Sequence, residues 1–570
     1  MDELSESQPI SGPNGRAAAP PAAEGVGLRI GQRVHAVGNP RRIGTVRYVG
    51  AVEGYAGEWV GVDWDDGEGK HDGSHGGIRY FTARGERSGS FVRPKNLSTG
   101  ISFLEGLHRR YRGNSTKEEE DEMYVFSTSQ KHVSIQLVGK NKIQEKLNHF
   151  KELLGASVSY LGVSSAETSN EINAIVPNLE ELDLTGNLLS RWQDIGTLCE
   201  ALPSLKILNL TNNLMDCEIP KLSSLVSIRV LVLNNCGITW NQQVEKFKES
   251  LPAIEELHLM ANNLSMIGPT SSSYAQGFDT LRILNLEENC IKSWDEILKL
   301  SYLRSLEQLH LNRNRLKHIS YPLDHQRPEL LSDCDMQDTV IRPFENLQCL
   351  LLGSNEIDDL ASIDSLNIFP RLMDIRLSEN PIVDPSKGGL PRFVLIARLA
   401  KIKMLNGSEV SQRERKESEI RYVRLVMAKM QSDDLEDLRH FHPRFAELKA
   451  LHGIEYERPS SGIAGPQKMS SGLISVTLKC IGASMGEKQP LTKKLPPTTT
   501  WVCNSISLVY LQVGKLKVLC ESFFKLKDIR LRLYIQEEGL PLPLLLEDDM
   551  TAIVDLGVGT GTTVLVDEEG

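Results

Sequence analysis

One pattern, L-x-x-L-x-L-x-x-N-x-L, returns eight times along this chain, and it allows few architectures. The copies read LEELDLTGNLL, LKILNLTNNLM, IRVLVLNNCGI, IEELHLMANNL, LRILNLEENCI, LEQLHLNRNRL, LQCLLLGSNEI and LMDIRLSENPI. The Asn slot holds Asn187, Asn213, Asn262, Asn289, Asn314, Asn355 and Asn380, with Cys236 in the third copy. Successive slots lie 26, 23, 26, 27, 25, 41 and 25 residues apart. A unit this short cannot bury its own leucines, so each coil must stack on its neighbours as a solenoid. The Asn amide belongs at the turn, where it can satisfy backbone groups that would otherwise be orphaned.

The pattern identifies a leucine-rich repeat solenoid of mixed α/β character over residues 147–410. A degenerate copy, FKELLGASVSY, precedes the regular ones. The spacing of 41 marks an inserted surface loop around HISYPLDHQRPELLSDCDMQDTV. RFVLIARLAKIKMLNGSEVSQRERKE reads as the closing cap, its apolar residues finishing the core and a charged helix facing water. A cap helix and linker are assigned to residues 411–472. On this template the concave strand face includes Asp183, Asn209, Val232, His258, Asn285, His310 and Arg376. That mixture of polar and apolar side chains suits a protein interface.

Residues 26–100 follow another rule. They hold 16 of the chain's 45 glycines, between short alternating runs such as RIGTVRYVG, EWVGVDWD and GSFVRP. Short twisted strands joined by glycine turns predict a small all-β barrel. The stretch GEGKHDGSHGGIRYF, Gly67 to Phe81, fails as a phosphate loop, because Lys70 is followed by His71 rather than Ser or Thr. As a metal site, His71, Asp72 and His75 lack thiols and regular spacing. In order, GEWVGVDWD, GKHDGSHGGIRYF and GSFVRP resemble the segments of a CAP-Gly domain.

That resemblance implies recognition of acidic tails ending in Glu-Glu-Tyr or Glu-Glu-Phe. A terminal carboxylate and glutamates call for a cation and donors, which Lys70 and nearby backbone N–H groups can supply. A terminal aromatic calls for an apolar wall, for which Trp59, Phe81 and Phe91 are candidates. The family's GKNDG maps to Gly69–Gly73, with His71 in place of the usual asparagine, and Asp72 and Arg93 complete the candidate set. These residues lie on a mildly basic segment: residues 26–100 carry a net +3 on a chain of net charge −11. An acidic peptide fits that balance better than nucleic acid.

Nine cysteines without a Cys-x-x-Cys pair speak against a zinc ribbon or a disulfide framework and fit a reducing compartment. No apolar run approaches the ~20 residues of a membrane span. Residues 1–25, rich in Ala, Pro, Ser and Gly, read as a disordered tail and a poor secretory signal. Residues 101–146 read as a linker. No nucleotide loop, Ser/His/Asp arrangement or paired carboxylate set stands out, so neither an enzyme, a cofactor nor a metal is expected.

From residue 473 to 570 the order is strand (LISVTLKCIG), helix (VGKLKVLCESFF), strand (IRLRLYIQE) and strand (GTTVLVD). This suggests an α+β ubiquitin-like β-grasp. WVCNSISLVYLQ, Trp501–Gln512, fits the pattern badly and reads either as an insertion particular to this sequence or as an artefact of the gene model. The end, VDEEG, lacks Gly-Gly, so docking is expected rather than conjugation.

CAP-Gly first, repeats in the middle and a ubiquitin-like end resemble the cofactor E family of tubulin-folding chaperones. The resemblance implies a cytoplasmic, cytoskeletal protein that captures α-tubulin. It also implies work with tubulin cofactors B, C and D to assemble and dissociate the αβ heterodimer, and the proteasome as a further candidate for the ubiquitin-like end. The rival expectations are a CAP-Gly adaptor on the microtubule lattice or plus end, and a ubiquitin-like degradation shuttle.

Overall fold

The computed structural model describes residues 27–112, 124–126, 132–134, 150–219, 225–268, 275, 277–321, 342–429, 441–454, 474–481, 490–495, 498–500, 508–526, 530–536, 543–546, 549, 553, 556, 558 and 562–568. It divides into two compact units, Met1–Ser271 with Gln276–Leu286, and Ser272–Ala275 with Glu287–Gly570.

The first unit opens with a five-stranded antiparallel sheet. Its long strands are β1 (Arg33–Ala36), β2 (Asn39–Val52) and β3 (Tyr55–Trp64), flanked by Gly89–Val92 and Leu97–Ser98. Alternation along β3 sends Val60, Val62 and Trp64 to one buried core, and a bulge in β2 between Val46 and Tyr48 brings Val46 and Val49 to the same side. Tyr48, Val52 and Phe81 form a second, smaller core beneath the loop that precedes Gly89–Val92.

In the same unit the repeats form parallel strands of three residues each: Gly155–Ser157, Glu181–Asp183, Ile207–Asn209, Val230–Val232, Glu256–His258 and Ile283–Asn285. The degenerate copy thus supplies a genuine strand, in register with its neighbour. The middle residue of each strand is buried, as a two-residue side-chain period requires. Asn187 carries out the role deduced for its slot. Its Nδ2 donates to the carbonyls of Val158 and Leu184 at 3.0 and 2.8 Å, and its Oδ1 accepts from the Val163 N–H at 2.9 Å. Cys236, with one weak donor, keeps a single bond of this kind across repeats, Sγ to the Leu210 carbonyl at 3.1 Å. Burial pushes its pKa up to about 12, so it stays a thiol.

Residues 101–112 differ from the expected linker. Ile101–Ser102 pairs with Val163–Ser165, and α1 (Phe103–Arg112) follows at once. Its residues Phe103, Leu104, Leu107 and Tyr111 are buried, so this helix closes the open end of the solenoid. The 318–340 insertion falls largely on residues 322–341, outside the described residues, as do residues 1–26.

In the second unit the parallel strands are Gln308–His310, Cys349–Leu351, Asp374–Arg376 and Met404–Leu405, and the last of these turns back antiparallel into Ser408–Glu409. The closing cap buries helix Arg392–Arg398 against Gln412–Lys429, so the charged helix does more than face water. It contributes Tyr422, Val423 and Val426 to the cap core. Arg392 Nε donates to Glu414 at 2.7 Å with both side chains buried, and Arg392 also donates to the Leu405 carbonyl. A buried guanidinium is tolerated because its fork is filled.

The end of the chain has the sheet order Leu491–Leu495, Ile474–Cys480, Thr563–Glu568, Leu531–Gln536, Leu544–Leu545. Its central pair is parallel and the rest antiparallel, under helix Val513–Phe524, which is the β-grasp expected. Within the misfit stretch, Leu508–Tyr510 pairs with Thr498–Thr500 and Leu511 joins the core; Trp501–Ser507 lies outside the described residues.

Candidate functional site

The candidate groove is built where the chain leaves β3, loops out through Gly69–Phe81 and returns in Gly89–Val92. Backbone bonds clamp the loop to that last strand. The N–H groups of Lys70 and His71 donate to the Gly89 carbonyl at 2.7 and 3.0 Å, and Gly89 N–H donates back to His71 at 2.8 Å. Gly73 has φ +98°, and a Cβ there would lie 2.1 Å from the Phe81 carbonyl oxygen. Only glycine fits both the left-handed backbone and that approach.

Phe91 is the hub of an aromatic cluster. Its ring centroid lies 4.8 Å from His71, 5.3 Å from Tyr80, 5.6 Å from Phe81 and 6.2 Å from Tyr48, mostly edge to face. Phe91 and Trp59 are half-buried and can serve as wall. Phe81 is only 7% exposed, so it forms the floor rather than a face open to a ligand.

The charged candidates divide as well. Lys70 is exposed, and its amine has no hydrogen bond or ion pair among the described residues. Asp72 is already used: Arg79 donates to it at 2.6 Å and the Ser74 N–H at 3.1 Å, and these bonds hold its carboxyl below the usual range. It shapes the loop. Arg93 is also committed, its guanidinium 3.7 Å from the Trp59 ring centroid and bonded to the Glu58 carbonyl at 3.1 Å. It pins Trp59, whose buried Nε1 has no hydrogen-bond partner among the described residues. Three of the seven candidates therefore support the groove instead of lining it.

His71 replaces an amide with a ring, and the structure fixes which way that ring is protonated. Gly73 N–H donates to Nδ1 at 3.0 Å, so the neutral ring carries its proton on Nε2. Burial against the aromatics lowers its pKa, with Lys70 and His75 acting the same way and Asp72 opposing. Sequence reasoning missed Tyr48 and Tyr80, which complete the cluster, though both stand beside strand glycines or aromatics in RYVG and IRYF. It also missed exposed Arg87, whose backbone lies against Gly69.

The strand face is a different kind of surface. In the first unit Asp183, Asn209, Val232, His258 and Asn285 occupy the third position of successive strands, as the template requires. Asn209 and His258 are nevertheless buried, at 6% and 8% exposure. Asn209 Oδ1 accepts from both the N–H and the hydroxyl of Thr211, and Asp183 binds Thr185 in the same way. These side chains are folded down onto their own turns. The first position, overlooked in the sequence, offers half-buried Ile207 and Val230 between Glu181 and Glu256, with half-buried Ile283 beyond Glu256. In the second unit His310 is buried, Arg376 is exposed, and Leu351 occupies the same register unnoticed.

Among the described residues no group of His, Cys, Asp and Glu could hold a metal ion, and no helix is long and apolar enough to cross a membrane. The family model for the CAP-Gly domain matches residues 30–97. Tubulin-folding cofactor E of Arabidopsis thaliana is 56% identical over 95% of this chain and 98% of its own length. Tubulin-specific chaperone E of Danio rerio is 30% identical over 94% and 98% respectively. A solution structure of the C-terminal ubiquitin-like domain of mouse tubulin-specific chaperone e is 25% identical, covers 19% of this chain and 96% of that one, and has a TM-score of 0.14.

Proposed function

The chain belongs to the tubulin-folding cofactor E family, and on that premise we propose that it is a tubulin-folding chaperone that captures α-tubulin. The groove grips the acidic α-tubulin tail, and the strand face of the repeats meets the folded body. One observation carries the reading: a half-open aromatic wall of Trp59 and Phe91 stands on the same loop system as an exposed lysine, Lys70, that has no ion pair among the described residues. An aromatic residue with a terminal carboxylate needs that combination, because one end is desolvated and the other keeps its charge.

Two sites of modest strength on one chain gain affinity through effective concentration, so neither needs to be tight alone. The chaperone acts with tubulin cofactors B, C and D in assembling and dissociating the αβ heterodimer, in the cytoplasm and at the cytoskeleton. It supplies binding energy and performs no chemistry of its own. The ubiquitin-like end docks another cofactor or the proteasome.

The test is to incubate the purified full chain with αβ-tubulin, with and without cofactor B, and resolve the products by native electrophoresis. Separation of α from β at excess chaperone is expected. Dimers that stay intact while the protein co-sediments with polymer would replace this reading with a lattice adaptor.

A further inference from the structure

The CAP-Gly module and the repeats meet with almost no chain between them. The module's last strand, Leu97–Ser98, is separated by only Thr99 and Gly100 from Ile101–Ser102, which already pairs with the solenoid strand Val163–Ser165. Ile101 N–H donates to the Gly162 carbonyl at 2.9 Å, and Ser164 Oγ donates to the Ile101 carbonyl at 3.3 Å. Gly100 has φ +92°, and a Cβ there would sit 2.3 Å from the Gly162 carbonyl oxygen. A Cβ on Gly162 would in turn sit 2.7 Å from His35 Nε2, on β1 of the module. The two backbones touch here, and no side chain larger than hydrogen fits between them.

Two further contacts brace the joint. The guanidinium of Arg41, on β2, lies 5.0 Å from the centroid of the Tyr160 ring in the first repeat. Tyr160 Oη accepts from Asn212 Nδ2 at 3.1 Å, which ties that ring to a later repeat. On the other side, Glu167 accepts the Leu104 N–H at the start of α1 at 3.0 Å, and Tyr111 Oη accepts the Ser157 N–H at 2.8 Å.

We propose that the groove and the amino-terminal repeats form one preset receptor, in which Gly100, Gly162, His35 and Arg41 are positioning residues for capture. This rests on the reading of the groove as a tail site. A flexible tether between two sites holds the effective concentration near the millimolar range; a fixed joint raises it for a partner whose tail leaves its folded body at the matching place, and lowers it for others. The joint therefore selects for geometry as well as for sequence.

The experiment inserts Gly-Ser-Gly-Ser between Thr99 and Gly100 of the full chain and measures two affinities. One is for a peptide ending in Glu-Glu-Tyr and the other is for tubulin. The peptide affinity should not change, because the groove is untouched. Tubulin capture should weaken about tenfold or more. Arg41→Ala, a milder change at an exposed contact, should move tubulin capture in the same direction by a few-fold, again without affecting the peptide. Hydrogen exchange gives an independent reading: the Ile101 amide should exchange as slowly as the strand amides of the repeats in the natural chain, and fast in the insertion variant. Unchanged tubulin capture in the insertion variant, or fast Ile101 exchange in the natural chain, would overturn the proposal. Failure of the tail-site reading would look different: the natural chain would not bind the peptide, while Ile101 exchange stayed slow.

Discussion

The groove and the strand face place their side chains by opposite means. The face is periodic, and each position is set by the register of a strand and repeated from coil to coil. The groove is aperiodic, and each ring is held by a particular neighbour: Phe81 by the Gly73 backbone, Trp59 by Arg93, His71 by Gly73 N–H. Under the proposed function, recognition is therefore concentrated in the groove and spread out on the face. Single substitutions should be severe in the first and mild in the second, except where they strike the buried ladder that holds the repeats together.

The largest effect should come from Gly73→Ala. A Cβ 2.1 Å from the Phe81 oxygen, on a backbone at φ +98°, forces the loop off the aromatic floor. Titration calorimetry should find no detectable binding of a Glu-Glu-Tyr peptide, while the repeats unfold at the same denaturant concentration as before.

Next is the ladder. Asn380 is 1% exposed; its Nδ2 donates to the Leu352 and Leu377 carbonyls at 2.8 and 3.0 Å, and its Oδ1 accepts the Ile357 N–H at 3.1 Å. Asn380→Ala orphans these groups, so urea unfolding of the repeats should lose about 3 kcal/mol. Asn380→Cys should lose less, since Cys236 already fills such a slot with one donor.

A smaller pair of changes sharpens the contrast directly. Lys70→Ala should weaken the acidic peptide about tenfold, as loss of one charge-assisted contact does, and flatten its salt dependence. Val232→Ser, on the strand face, should weaken tubulin capture by less than about threefold, because its neighbours Val230 and Ile207 carry the same surface. Equal losses at both positions would erase the distinction between the two regions.

Much of this was legible in the sequence, and the exceptions have physical causes. The ladder could be read because a 3.6- or 2-residue period repeated at a fixed longer interval leaves little freedom for the chain. α1 was missed although FLEGLHRRYR carries the right spacing in Phe103, Leu107 and Tyr111. Its partners include Phe150, Ser157 and Glu167, about 40 to 60 residues on, so nothing local announces that the helix closes a solenoid. The groove's residue types were legible from the glycine-rich loop, but their division into wall, floor and brace was not. Burial of Phe81 and the capture of Arg93 by Trp59 depend on where a loop folds back, which composition does not encode. The same holds for Asn209 and His258: register places them on the strand face, while their burial comes from packing around them that the template does not specify.

The smallest predicted effect is on pH. Burial lowers the pKa of His71, so the unfolded chain binds its proton more readily than the folded one. Module stability should therefore fall as pH drops below about 6.5, the ordinary imidazole value, and level off below the depressed folded value. Thermal melts between pH 7.5 and 5.5 would show this slope, and His71→Asn should remove it.

The most direct test compares the affinity of the full chain for α-tubulin with and without the final aromatic residue of its acidic tail. The account predicts clearly weaker capture that the strand face still sustains. Identical affinities for the two forms would contradict it.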